Sequence, residues 1–214
     1  MKPSRIVRIG IIVANNIEDM EFIIPFDIWR RAKFMVETIS CEVKNIASLN
    51  YTDIKFTTNC KLKHTNLEHY DLLFFPGGPG HTTYFSPPST AKEFGASKLN
   101  TAVRKFYKDD NKWLVAICAA PSYVMSVIEK DWEPDVKFTC YKDPRFIGDY
   151  DKLWVDTPVY VDLKKKFITA QAAACSLQLA FLVVELFSGK EEAERLAKSM
   201  LYDYVSPLNS ETTV

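Results

Sequence analysis

In the segment Trp113-Leu-Val-Ala-Ile-Cys-Ala-Ala-Pro121, an apolar run without alternation stops at one cysteine and gives way to small residues. The unbroken stretch from Trp113 to Ile117 suits a strand covered on both faces, as in the middle of a parallel sheet. Ala119, Ala120 and Pro121 suit a tight first helical turn, because proline is tolerated where a helix N–H has no internal partner. The spacing therefore predicts Cys118 at a strand's carboxyl end, with unpaired helix amides pointing at its sulfur. Such dipoles favour thiolate over thiol, so a lowered pKa and a nucleophilic, oxidisable cysteine are expected. A small buried hydrophobe is the competing reading of a lone cysteine. The strand-to-helix joint favours the reactive one.

Other segments repeat the alternation of strand and helix. Arg5 to Ala14 reads as a first strand, followed by capping chemistry in Asn15-Asn-Ile-Glu-Asp19 and a helix from about Glu18 to Lys33, bent by Pro25. Met35 to Ser48 suggests a second strand, with short strands or an irregular excursion around Ile54 to Thr58 and Leu62. Tyr70-Asp-Leu-Leu-Phe-Phe-Pro-Gly-Gly-Pro-Gly80 is a buried strand ending in a glycine-rich loop, and a polar amphipathic helix runs to about Asp110. A helix to about Glu129 follows Cys118. Short strands are expected at Val136 to Cys140, Trp154 to Val161 and Phe167 to Ala170, then helices at Cys175 to Phe187 and Lys190 to Tyr204. This order predicts an α/β fold with a mostly parallel sheet between helices, whose binding groups gather at the strands' carboxyl ends. One domain is expected across residues 1–214, with its core at about 5–204.

Composition excludes several classes. The 27 Lys and Arg balance the 27 Asp and Glu, so no electrostatic footprint for nucleic acid or an anionic membrane is present. Arg8 interrupts the N-terminal apolar run, against a signal peptide, and the stretch around Leu177 to Phe187 is too short to span a bilayer. Five scattered cysteines and three histidines lack metal-ligand spacing, so no metal and no cofactor are predicted. The cysteine usage fits a reducing cytosol.

Thiolate addition to a carbonyl creates an oxyanion, which backbone amides stabilise best where no side chain intervenes. Gly78 and Ala119 are the candidate donors, although a turn needing positive φ also explains Gly77-Gly78. Glu21 lies in the apolar stretch Met20-Glu-Phe-Ile-Ile-Pro-Phe26, which disfavours an ionised carboxylate unless it is hydrogen bonded. A protonated Glu21 could donate to the Cys118 sulfur and act as general acid/base. Glu18 and Asp19 are expected to cap the helix or face water. His81 follows the glycine loop, but a surface role is the stronger expectation, and no proton acceptor for the thiol is identified.

Together these residues resemble the ThiJ/PfpI superfamily, in its DJ-one-like branch. The likeness runs from about Arg8 to Leu201. It rests on Glu18 to Ala32, Tyr70 to Gly78, Ala116-Ile-Cys-Ala-Ala-Pro121 and the helix from Leu179 to Lys190. It implies a flavodoxin-like sandwich, a strained nucleophile elbow at Cys118, a hydrogen bond from Glu21 to its sulfur, and a homodimer with the first helix near the interface. Relatives often carry a histidine in a Thr-His-Pro stretch; the corresponding Thr139-Cys-Tyr-Lys142 offers Tyr141 or Cys140 instead. A Gly-Pro-Gly turn of the family is replaced by Gln171-Ala-Ala-Ala-Cys175, so Gln171 joins Gly77, Tyr141 and Cys140 as a pocket candidate. The segment between Gly78 and Trp113 also looks longer than in this branch.

Three functions follow from the resemblance. The first is glyoxalase or deglycase chemistry on a small 2-oxoaldehyde or a glycated substrate, through Cys118 and Glu21. The second is a non-catalytic redox sensor or chaperone dimer that responds to Cys118 oxidation. The third, a cysteine peptidase or amidase, ranks last because such relatives place histidine directly after the cysteine, where Ala119 stands.

Overall fold

The computed structural model describes residues 5–42, 44–80, 94–133 and 135–208, with the side chains of 94–97 outside that description. In chain order the elements are β1 (Arg8–Val13), α1 (Asp19–Arg31), β2 (Met35–Ser40), β3 (Ile46–Ser48), β4 (Lys55–Thr57), β5 (Cys60–Lys61) and β6 (Leu72–Phe75). There follow α2 (Phe94–Lys108), β7 (Trp113–Ile117), α3 (Ala120–Ile128), α4 (Pro144–Ile147), β8 (Val159–Asp162), β9 (Phe167–Ala170), α5 (Ser176–Ser188) and α6 (Lys190–Ser199).

A seven-stranded sheet has the order β5-β2-β1-β6-β7-β9-β8, parallel throughout except for the β8–β9 pair. β3 and β4 form a separate antiparallel hairpin. Because side chains alternate across a strand, Ile9, Ile11 and Val13 of β1 enter one apolar cluster with α1, α5 and α6, while Ile12 enters another with α2 and α3. Helices thus cover both faces, which accounts for the continuous burial of β6 and β7. This is the flavodoxin-like architecture expected from the sequence.

The strand order turns around between β1 and β6. Connections leave these neighbours in opposite directions and open a crevice at their carboxyl ends, the usual ligand position in such sheets. α1 is fixed there by Trp29, which is fully buried, donates its indole N–H to Ala180 O at 3.0 Å and meets Phe74 edge-on at 5.1 Å. Pro25 lies inside α1 without ending it.

The irregular parts depart from the sequence reading. The second strand stops at Ser40, and Ile46 and Ala47 after it belong to the β3–β4 hairpin. Val136 to Cys140 contributes only an isolated bridge between Phe138 and Trp154, and the edge strand begins at Val159, not Trp154. His81 and the extended stretch after Gly80 lie largely outside the described residues. No helix among the described residues is long and apolar enough to cross a membrane.

Candidate active site

Cys118 occupies the joint between β7 and α3 with φ of 64°, a left-handed conformation that costs energy for a residue bearing a Cβ. Two main-chain bonds hold it there. Its N–H donates to Ala170 O of β9 at 2.9 Å, and its carbonyl accepts from Tyr141 N–H at 2.8 Å. The next two residues start α3, with Ala119 as N-cap and Pro121 within the first turn. The side chain is half-buried, projecting at the carboxyl edge of the sheet.

Glu21 comes from the first turn of α1 and has no exposed surface. Its Oε2 accepts from Gly77 N–H at 2.8 Å, whereas Oε1 is sealed from solvent without a hydrogen-bond partner among the described residues. The Cys118 thiol is near enough for the two groups to alter each other's ionisation. Gly77 is the reason they can approach. A Cβ at that position would stand 2.7 Å from Cys118 Cβ and 2.7 Å from Glu21 Oε2. Gly78 answers the other expectation: its φ is +99°, and a Cβ would meet Glu18 N at 2.4 Å. One glycine admits the thiol and carboxyl side chains and the other makes the turn.

Burial, and then the neighbouring Glu18 carboxylate, push Glu21 up to about 7, opposed by the Gly77 N–H and by the nearby Cys118 thiol. A carboxyl with one unbonded oxygen inside apolar surroundings is stabilised by keeping its proton on that oxygen. The thiol corrects the sequence reading. Helix amides were expected to lower the Cys118 pKa, but burial pushes it up, the Glu21 carboxylate adds to that, and only the Ala119 N–H pulls it down. Magnitudes explain the reversal: a helix terminus contributes about 0.3–2 kcal/mol, whereas desolvation of a buried group can reach about 3–5 pKa units. Acid and thiol form a coupled pair. Thiol with carboxylate and thiolate with carboxylic acid are two arrangements of the same single proton.

The remaining candidates separate. Tyr141 is 45% exposed, and its backbone is bonded to Cys118. Cys140, the alternative to Tyr141, is fully buried in the cluster under α2 and α3, with its thiol pushed up to about 11 by burial. It belongs to the core with Phe138 and Thr139, which are also fully buried, and the chain reaches the surface only at Tyr141. Gln171 follows Ala170 and donates to Asp156 Oδ1 at 2.9 Å, in a rim cluster completed by Lys142. Glu18 caps α1, its carboxylate accepting from Glu21 N–H at 2.7 Å. Asp19 instead accepts from the Tyr51 and Thr52 N–H groups, at 3.0 and 3.1 Å. That role had no local signal, since its partners lie over thirty residues away in sequence.

The DJ-1/PfpI family model matches residues 7–186. The chain belongs to this family. An uncharacterized Mycoplasma pneumoniae protein is 28% identical over 209 residues, covering 94% of this chain and 91% of the relative. The Schizosaccharomyces pombe protein named glutathione-independent glyoxalase DJ-1 is 22% identical over 210 residues, covering 91% of this chain and 98% of that protein. Among solved structures, Toxoplasma gondii DJ-1 in an oxidized form superposes with a TM-score of 0.74 at 23% identity, covering 92% of this chain and all of that one. At that identity the superposition establishes the DJ-1/PfpI fold.

The Glu21 environment has a stability consequence. Between about pH 4.5 and about 7 the unfolded chain ionises this carboxyl while the folded chain retains the proton. Folding stability contributed by Glu21 is therefore present in full below 4.5 and falls as pH rises through that window, by up to about 3 kcal/mol. Urea unfolding of wild type and Glu21→Gln at pH 4.5 and 8 should show the wild type losing that much more stability than the variant. Equal pH dependence in the two proteins would mean that Glu21 ionises normally.

Proposed function

We propose that the protein is a reactive-cysteine enzyme of glyoxalase or deglycase type, acting on small 2-oxoaldehydes or early glycation adducts. The observation that carries this reading is the buried, half-bonded Glu21 carboxyl beside a thiol held at positive φ. It supplies the proton acceptor that the sequence lacked. As Cys118 Sγ attacks the aldehyde carbon of methylglyoxal, ionised Glu21 takes the thiol proton and passes it to the carbonyl oxygen, which gives a hemithioacetal and leaves Glu21 ionised again. Gly77 N–H is engaged by Glu21, so Gly78 and Ala119 are the amides assigned to the developing oxyanion. Glu21 then carries the proton from the former aldehyde carbon to the adjacent carbon while the hydroxyl proton moves from the first oxygen to the second, leaving a thioester of the 2-hydroxy acid. Water cleaves the thioester, which releases lactate and restores the thiol. The balance is one methylglyoxal and one water to one lactate and one proton, with no outside oxidant, reductant or cofactor. The name of the fission-yeast relative agrees with this chemistry.

A second reading, oxidation of Cys118 as a redox signal, is favoured by the same half-buried sulfur and by the oxidized state of the Toxoplasma gondii relative. For assembly, α1 presents Met20 and Ile23, each 45% exposed, next to Tyr51 at 78%. Tyr51 is joined to the helix through Asp19. This apolar strip supports a homodimer through α1.

Purified wild type is expected to form lactate from methylglyoxal without glutathione, with at least about a hundredfold loss in Cys118→Ser and Glu21→Gln. Equal rates in all three would end the enzymatic reading. For the redox reading, intact mass after mild peroxide should show two oxygens added at Cys118; oxidation spread over all five cysteines would count against it. Sedimentation equilibrium should find a dimer that Met20→Asp with Ile23→Asp converts to monomer, and a monomeric wild type would refute that interface.

A further inference from the structure

The first turn of α1 carries two carboxyl groups three residues apart, and the chemistry above employs one of them. We propose that Glu18 is the positioning residue of this site: it fixes the turn that presents Glu21 and sets a second carboxylate beside it, which makes Glu21 the stronger base toward the thiol. The inference rests on Glu21 being the working acid.

Three hydrogen bonds carry it. Glu21 N–H donates to Glu18 Oε2 at 2.7 Å, Glu18 N–H donates to Gly77 O at 3.1 Å, and Gly77 N–H donates to Glu21 Oε2 at 2.8 Å. The bonds close a ring through Glu18, Glu21 and Gly77, so the helix start, the acid and the glycine loop cannot shift independently. Serine or asparagine would satisfy the N-cap equally well. What a carboxylate adds is charge.

That charge lies next to Glu21 with little to neutralise it. Asp19, on the same turn, is directed to the Tyr51 and Thr52 amides. Across the site stands the Cys118 thiol. Glu185, the one charged residue of α5, accepts from Tyr204, and Glu37 of β2 accepts from Tyr70. Among the described residues no lysine or arginine pairs with Glu18 or Glu21. The effect runs toward Glu21, which is raised by burial and then by Glu18, while Glu18 itself is raised by burial and by Asp19.

Carbon-13 NMR of glutamate carboxyls tests this without substrate. In the wild type the Glu21 resonance should titrate near pH 7 and register a second inflection as Glu18 ionises. Glu18→Gln keeps an oxygen for the Glu21 N–H but removes the charge, and should lower the Glu21 midpoint by about one unit. Glu18→Asp, which keeps the charge, should leave the midpoint in place. An unchanged midpoint in Glu18→Gln, or equal shifts in both variants, overturns the proposal. Should Glu18→Gln fail to fold, the wild-type titration decides, because a Glu21 curve indifferent to Glu18 overturns it as well. Neither readout involves an aldehyde, so missing lactate formation would remove the glyoxalase reading while leaving this one standing.

Discussion

The bond from Gly77 N–H to the buried Glu21 carboxyl is the contact on which the site depends. It joins the start of α1 to the loop after β6, and these are the two connections that part company at the turning point of the sheet. The elbow residue Cys118 packs against the bare Cα of Gly77. Three segments distant in sequence are therefore registered by one hydrogen bond and one absent methyl group. Trp29 and Ala180 secure the far end of the same helix against α5, so the acid is presented by an element anchored at both ends.

The chemistry of the pair follows from competition between terms of different size. A helix amide near a sulfur is a short-range, modest stabilisation of charge, while removal from water penalises charge on sulfur and oxygen alike. With the second term larger, the resting pair holds one proton more than two isolated, solvated groups would between about pH 4.5 and about 7, and above that window Glu21 is free to accept one. Reactivity then does not require a permanently charged sulfur. It requires an acceptor that takes the proton as the new bond forms, and Glu21 is that acceptor in the function proposed.

Much of this architecture was legible before any coordinates. Unbroken apolar runs at Leu72 to Phe75 and Trp113 to Ile117 marked central strands, because burial on both faces erases alternation. The prominence of Cys118, Glu21 and the Gly77-Gly78 loop was legible for a related reason: each breaks the pattern of its element at the strands' carboxyl end. What could not be read was long-range or depended on depth. Asp19 bonds to amides more than thirty positions away, and no local pattern announces that. Cys140 and Tyr141 are neighbours in sequence with opposite fates, one in the core and one at the rim, because the stretch before them pairs too little to fix its register. The direction of the thiol pKa failed for lack of depth, since a sequence shows which dipoles are near but not how much water is gone.

The elbow itself is made without using its side chain. Both bonds that impose the left-handed twist on residue 118 join main-chain atoms, one to Ala170 and one to Tyr141. The scaffold is therefore a socket indifferent to what is plugged into it: oxygen in place of sulfur, or a sulfur already carrying an adduct, would sit at the same bend without the sheet having to unzip. Such a frame lets chemistry diversify at one atom while the surrounding fold stays still.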